Sequence, residues 1–321
     1  MVSIFATDTA TEVLSQIEEE MIWKEQFNAT GTWLNLVNPT DKEIERIVEL
    51  TEIPEQFLKA ALDEEERAHI DVDGDVTLFL VDLPILEDED DYYSYATIPL
   101  GIIRTSSCLV TVCLKDTAVL RDFSRGRIKT FHTAKKTRFM LQIMYNTAVK
   151  YLQYLRQIDK MSQRVQSELH KSMKNKELIQ LLTLENSLVY FSTSLKANEA
   201  VIRRIYRTDV VKKYEEDKEL LEDVLIETEQ AIEMATIYRD ILSGTMDAFA
   251  SVISNNLNIV MRALTALTVI ISVPTFIASL FGMNVPVPWG TNQYGFWIVL
   301  AICLATSMAA AWALFKKKKL K

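Results

Sequence analysis

Residues 263–315 read ALTALTVIISVPTFIASLFGMNVPVPWGTNQYGFWIVLAICLATSMAAAWALF, 53 positions without one Asp, Glu, Lys or Arg, followed at once by KKKKLK. A helix crossing a hydrocarbon layer of about 30 Å takes roughly 20 residues, so this stretch holds two spans and a short turn. The first span is read as 263–281, entered from Arg262, and the second as 294–315, stopped by the lysines. Lysines favour the cytoplasmic side, and two crossings bring the chain back to the side it left. Residues 1–262 and the basic tail 316–321 are therefore expected in the cytoplasm of a multi-pass protein of the cell membrane. Residues 282–293 are left outside. A wholly soluble protein is excluded.

Upstream the charge is uneven. Residues 1–100 carry 25 acidic and 5 basic side chains, a balance of -20, whereas 101–262 carry 19 and 25, a balance of +6. An acidic front end repels phosphate backbones, which argues against nucleic acid as a partner and for divalent cations. All four prolines that precede the spans fall in residues 1–126, among short apolar runs at Trp33–Val37, Val76–Leu83, Ile98–Ile103 and Leu109–Leu114. Those runs read as strands. Helices are expected over Thr40–Leu50, with Asp41 as cap and Ile44, Ile47 and Val48 inward, and after Pro54, with Phe57, Leu58, Ala61 and Leu62 inward. Residues 1–131 thus form an acidic α/β domain.

Residues 127–243 contain neither Gly nor Pro and are rich in good helix formers. Helices are expected near 132–170 and 177–207, a region 132–213 packed on the stalk, and then from 214 onward. The stalk segment 214–262 runs without a stop signal into the first span. A single helix over 214–281 is about 100 Å long at 1.5 Å per residue, and needs parallel copies or neighbouring helices to bury its apolar face.

Several classes of chemistry find no support. Cys108, Cys113 and Cys303 make neither a metal quartet nor a disulfide framework, and His69, His132 and His170 lack metal-ligand spacing. No basic segment followed by a long apolar run opens the chain, so no cleaved signal peptide is expected. No phosphate-binding glycine loop, kinase set or nucleophile elbow is present. Neither an enzyme nor an organic cofactor is expected, and transport has no nucleotide fuel.

The first span is polar for an anchor. Thr265, Thr268, Ser272, Thr275 and Ser279, with Asn258 and Met261 below them, recur at intervals of three or four and so share one helix face. Such hydroxyls can return their hydrogens to the preceding turn and do nothing more. Alternatively they line a path, which two spans cannot enclose alone and an oligomer can.

The segment Pro274-Thr275-Phe276-Ile277-Ala278-Ser279-Leu280-Phe281-Gly282-Met283-Asn284, between two terminal spans and before a lysine tail, resembles the signature of the CorA family of magnesium transporters. The resemblance extends to the whole architecture and is most specific over Asp240–Lys319. It implies a funnel-shaped homopentamer set in membrane lipid, with Mg2+ as both cargo and regulatory ligand. Gly282, Met283 and Asn284 correspond to the selectivity filter, where Asn284 holds a hydrated ion, Gly282 permits a close approach or a positive φ, and Met283 packs the loop. Asn258 and Leu264 match a pore asparagine and a hydrophobic constriction; Met261, Thr265, Thr268, Ser272, Thr275 and Ser279 line the rest. Asp247 matches a regulatory ligand, with its partner sought among Glu87, Asp88, Glu89, Asp90 and Asp91. Two departures stand out: Ser272 replaces a narrowing Met, and Val285–Gln293 lacks the family's acidic residue. Passive, potential-driven Mg2+ entry gated by cytoplasmic Mg2+ is the expected activity. Cobalt, nickel or zinc transport on the same scaffold, or a membrane-anchored metal sensor, are the competing readings.

Overall fold

A computed structural model describes residues 1–8, 13–24, 27–89, 92–128, 131–172, 175–208, 214–285, 287–290 and 292–318. The chain packs as two compact units, Met1–Gly244 and Thr245–Lys321.

The first unit is built on a seven-stranded sheet. Its strands are β1 (Val2–Thr7), β2 (Leu14–Ile17), β3 (Thr32–Val37), β4 (His69–Asp73), β5 (Val76–Glu89), β6 (Tyr92–Arg104) and β7 (Leu109–Cys113), in spatial order β2-β1-β3-β7-β6-β5-β4. Every pairing is antiparallel except β3 with β7, where Trp33 to Val37 run beside Leu109 to Cys113. The four strands read from apolar runs are all present. Three others carry less signal: β1 is buried but has only a short apolar run, and β2 and β4 are edge strands with few buried side chains.

Side chains alternate across the sheet, so each face has its own core. On one face Leu34, Leu36, Leu78, Leu80 and Val112 meet Ile44 and Ile47 of α1 (Asp41–Thr51), Phe57 and Leu58 of α2 (Glu55–Ala60), and Ala61 just past its end. Gly101 is required here, since a Cβ on it would lie 2.8 Å from that of Ala61. On the other face Trp33, Phe79, Val81 and Leu100 meet α3 (Ala118–Ser124), α4 (Lys136–Ser172), α5 (Asn175–Arg207) and the start of α6 (Glu215–Phe281). Trp33 is fully buried, stacked on Phe5 at 4.8 Å and edge-on to Phe139 at 5.1 Å, and its indole N–H donates to Thr111 Oγ1 at 2.8 Å.

Local chemistry corrects two expectations. The cap of α1 is Thr40, not Asp41: Thr40 Oγ1 accepts from Glu43 N while the Glu43 carboxylate accepts from Thr40 N at 2.7 Å, a reciprocal capping box. Pro54 precedes α2 at its cap position, and Leu62 lies beyond the helix end. The two long helices expected to pack on the stalk also cover the sheet. β4 stops pairing with β5 at Leu80, and two residues on the freed backbone of Asp82 is met by α5. The Asn198 amide donates to Asp82 O at 2.8 Å and accepts from Asp82 N at 2.8 Å, standing in for a missing strand. Arg138 of α4 reaches Glu216 and Asp217 at 3.0 and 3.5 Å, and Arg203 of α5 reaches Glu229 at 2.6 Å, which fixes the first turns of α6. Cys108 and Cys113 are buried free thiols, and burial pushes the Cys113 thiol up to about 11.

In the second unit the remainder of α6 is followed by a turn and α7 (Gly295–Lys318). Both helices contain a stretch long and apolar enough to cross a membrane, and neither stretch is buried within the chain. Their surfaces need lipid or protein around them. Pro274 inside α6 lacks a backbone donor, and its own carbonyl accepts the Cys303 thiol of α7 at 3.6 Å.

Candidate functional site

At 3.6 residues per turn, Asp247, Asn258, Met261, Thr265, Thr268, Ser272, Thr275 and Ser279 fall within an arc of roughly 100° on α6, with Leu264 at its edge. All of these side chains are exposed within the chain. The hydroxyls follow a common pattern. Thr265 Oγ1 donates to Met261 O at 2.8 Å, Thr268 Oγ1 to Leu264 O at 2.9 Å and Thr275 Oγ1 to Ile271 O at 2.7 Å. Each hydrogen is thereby committed to its own helix, while the oxygen keeps lone pairs to present outward. The three threonine oxygens, their own hydrogens already taken, suit the protons of a cation's water shell. The back-bonded arrangement of an ordinary anchor and the lining of a cation path are thus the same local geometry; what separates them is whether the face meets lipid or water.

The helix ends at Phe281. Gly282 N donates to Ala278 O at 3.0 Å and Ser279 O at 3.2 Å, closing the last turn. Gly282 does not have a positive φ, and a Cβ on it would meet Ala278 O at 3.4 Å, so neither the expected left-handed conformation nor a close approach exists within one chain. Met283, expected to pack the loop, is 54% exposed. Asn284 is exposed as well, its carboxamide free to face a second copy or solvent.

The joint to α7 was not legible in the sequence. Trp289 has φ +63° and stacks on Phe281. Asn292 Oδ1 accepts from Tyr294 N at 3.0 Å, an Asx turn just before the second span begins. Only the Gly290, Asn292 and Gly295 punctuation hinted at a wound turn.

The acidic run is less of a unit than its sequence suggests. Glu87 ends in an ion pair with Lys115 at 2.7 Å. The side chains of Asp88 and Glu89, and the whole of Asp90 and Asp91, lie outside the described residues. Asp247 is on the other compact unit. Among the described residues no three His, Cys, Asp or Glu side chains converge within one chain to hold a metal.

A family model described as CorA-like Mg2+ transporter protein matches residues 28–318. The cobalt/magnesium transport protein CorA of Methanocaldococcus jannaschii is 28% identical over 286 residues, 86% of this chain and 87% of that protein. The protein of the same description from Thermotoga maritima is 25% identical over 302 residues, 91% of this chain and 84% of its own. The complete structure of the CorA magnesium transporter from Methanocaldococcus jannaschii superposes with a TM-score of 0.79 at 24% identity, covering 98% of this chain and 96% of that one. At that identity the likeness speaks for the fold: a soluble domain, a long helix and two C-terminal apolar helices.

Proposed function

The chain belongs to the CorA-like Mg2+ transporter family, and on that premise we propose that it conducts Mg2+ passively into the cell through a homopentameric pore closed by cytoplasmic Mg2+. The observation that carries this reading is the exposed polar face of α6, which leads from Asp247 through Asn258 and the back-bonded threonines to Asn284. Copies of that face around an axis enclose a wet path, with α7 outside against lipid. Mg2+ gives up water reluctantly, so a ring of Asn284 carboxamide oxygens holds the ion through its water shell, and the hydroxyl oxygens below receive the same shell.

Leu264 supplies a hydrophobic constriction, and Ser272 leaves the path wider one helical stretch above it. No fuel is required, because a divalent ion gains about 4.6 kcal/mol per 100 mV of inside-negative potential, twice the value for one charge. Co2+, which stands in the names of the relatives, is a second hydrated divalent cargo for the same path. Closure follows when cytoplasmic Mg2+ bridges Asp247 and carboxylates supplied by neighbouring copies, offsetting their mutual repulsion. The termini are on the cytoplasmic side, by the lysine tail.

The test is flux into liposomes holding a Mg2+-sensitive dye under an inside-negative potential, with Asn284→Ala beside the parent and assembly measured by light scattering. The expected result is near-complete loss of flux in an intact pentamer. Unchanged flux from the variant overturns the Asn284 ring, a parent that is monomeric in gentle detergent and in cross-linked membranes overturns the shared pore, and flux that demands ATP overturns the passive mechanism.

A further inference from the structure

The outer turn carries no charged side chain from Val285 to Gln293, so something other than ion pairing must hold it. The Phe281 ring, one residue before Gly282, stacks on the Trp289 indole with centroids 6.3 Å apart and planes inclined by 18°. Trp289 sits in the left-handed region at φ +63°, a conformation that bulky residues rarely adopt. Such a conformation persists only where its surroundings over-determine it, and here they do. The Trp289 carbonyl accepts from Asn292 N at 3.0 Å, and Asn292 O in turn accepts from Gly295 N at 2.9 Å. The same Trp289 carbonyl lies so close to Gly295 that a Cβ there would be 2.5 Å from it. Gly295 begins α7 and Phe281 ends α6. One residue therefore ties the exit of the first span to the entry of the second.

We propose that Trp289 is a positioning residue for the cation-selecting mouth: its ring against Phe281 and its carbonyl against Gly295 set the pitch at which the Gly282–Asn284 turn leaves the first span. Trp289 touches no ion. It acts through Phe281 on where the Asn284 carboxamides stand, and hydrogen bonds to an ion's water shell tolerate only a few tenths of an ångström before they weaken. This inference rests on the reading of Asn284 as the ion-holding ring, and the tests of the two are kept apart.

The experiment measures the dependence of liposome flux on external Mg2+ for the parent, Trp289→Ala, Trp289→Leu, Trp289→Phe, Gly295→Ala and Asn284→Ala, each with assembly checked. Trp289→Ala and Trp289→Leu are expected to raise the half-saturating Mg2+ about two- to tenfold, the range an aromatic pair's coupling supplies, with a smaller effect on maximal flux. Trp289→Phe keeps a ring on Phe281 and restores the parent value. Gly295→Ala crowds the Trp289 backbone carbonyl, a contact separate from the ring stack, and is expected to raise the half-saturating Mg2+ on its own. A parent-like half-saturation in Trp289→Ala, or a Phe variant as impaired as the Ala variant, overturns the proposal. If Trp289→Ala does not reach the membrane, the Leu and Phe variants decide: equal half-saturation in the two overturns it. Parent-like flux from Asn284→Ala overturns the ring and the positioning role together, whereas loss of flux there with unchanged Trp289 variants overturns the positioning role alone.

Discussion

Gly282→Ala separates what one chain needs from what the assembly needs. The substitution adds one methyl group, whose Cβ lies 3.4 Å from Ala278 O and 3.5 Å from Ser279 O, ordinary contact distances. The backbone there is not left-handed, so a side chain meets no conformational penalty. Replacing glycine by alanine where the backbone suits it stabilises by about 0.4–1 kcal/mol, through the lower entropy of the unfolded chain. Within one chain the variant is accordingly neutral to slightly more stable, and its melting temperature moves by no more than about 2–4 °C. Gly295 is the contrast, since its Cβ would lie 2.5 Å from the Trp289 carbonyl. In the proposed shared pore, loss of transport in Gly282→Ala then arises between copies, where added methyl groups narrow the mouth around a hydrated ion, and flux is expected to fall more than about tenfold. The assay pairs dye-reported flux in proteoliposomes with thermal denaturation and light scattering on the same preparation. A melting temperature lowered by much more than these few degrees refutes the account of free space at Gly282. Parent-like flux in an intact assembly refutes the meeting of glycines at the mouth.

Gly101→Ala forces a Cβ to 2.8 Å from that of Ala61, and the resulting overpacking of α2 on the sheet is expected to cost about 1–3 kcal/mol, read as a lowered denaturation midpoint; an unchanged midpoint contradicts it. Burial pushes the Asp82 carboxyl above its usual range, against a hydrogen bond from Ser194 that lowers it. The folded state then binds more protons than the unfolded one between the ordinary carboxylate value and the raised one, so stability falls as pH rises through that window. Asp82→Asn should therefore raise the melting temperature at neutral pH and leave it unchanged in acid below the window; a constant offset at all pH values argues against the burial cost. Asp247→Asn is expected to shift inhibition of channel current by internal Mg2+ to higher concentration at fixed ionic strength, with superimposable curves assigning closure to other residues.

The spans were legible because charge is excluded from hydrocarbon whatever the fold, and 53 uncharged residues need no partner to be read. The absence of Gly and Pro from 127–243 likewise announced helices, which appear as Lys136–Ser172 and Asn175–Arg207 with a third from Glu215. Helical phase, fixed at 3.6 residues per turn, places Asn258, Met261, Thr265, Thr268, Ser272, Thr275 and Ser279 on one face from spacing alone. Edge strands β2 and β4 escaped notice because half their side chains face water and carry little apolar signal. The choice of Thr40 over Asp41 as cap depended on where the first helical hydrogen bond closes, and either residue type suits that position. Tertiary structure alone decided three further matters: that the Asn198 amide completes the edge of β5, that Glu87 is engaged by Lys115, and that Trp289 joins two helix ends. The first two depend on residues distant in sequence arriving within a few ångströms of one another, and the third on a left-handed Trp289 that local pattern does not announce. Composition and periodicity fix what a segment can become on its own, and only the packed chain selects its partners.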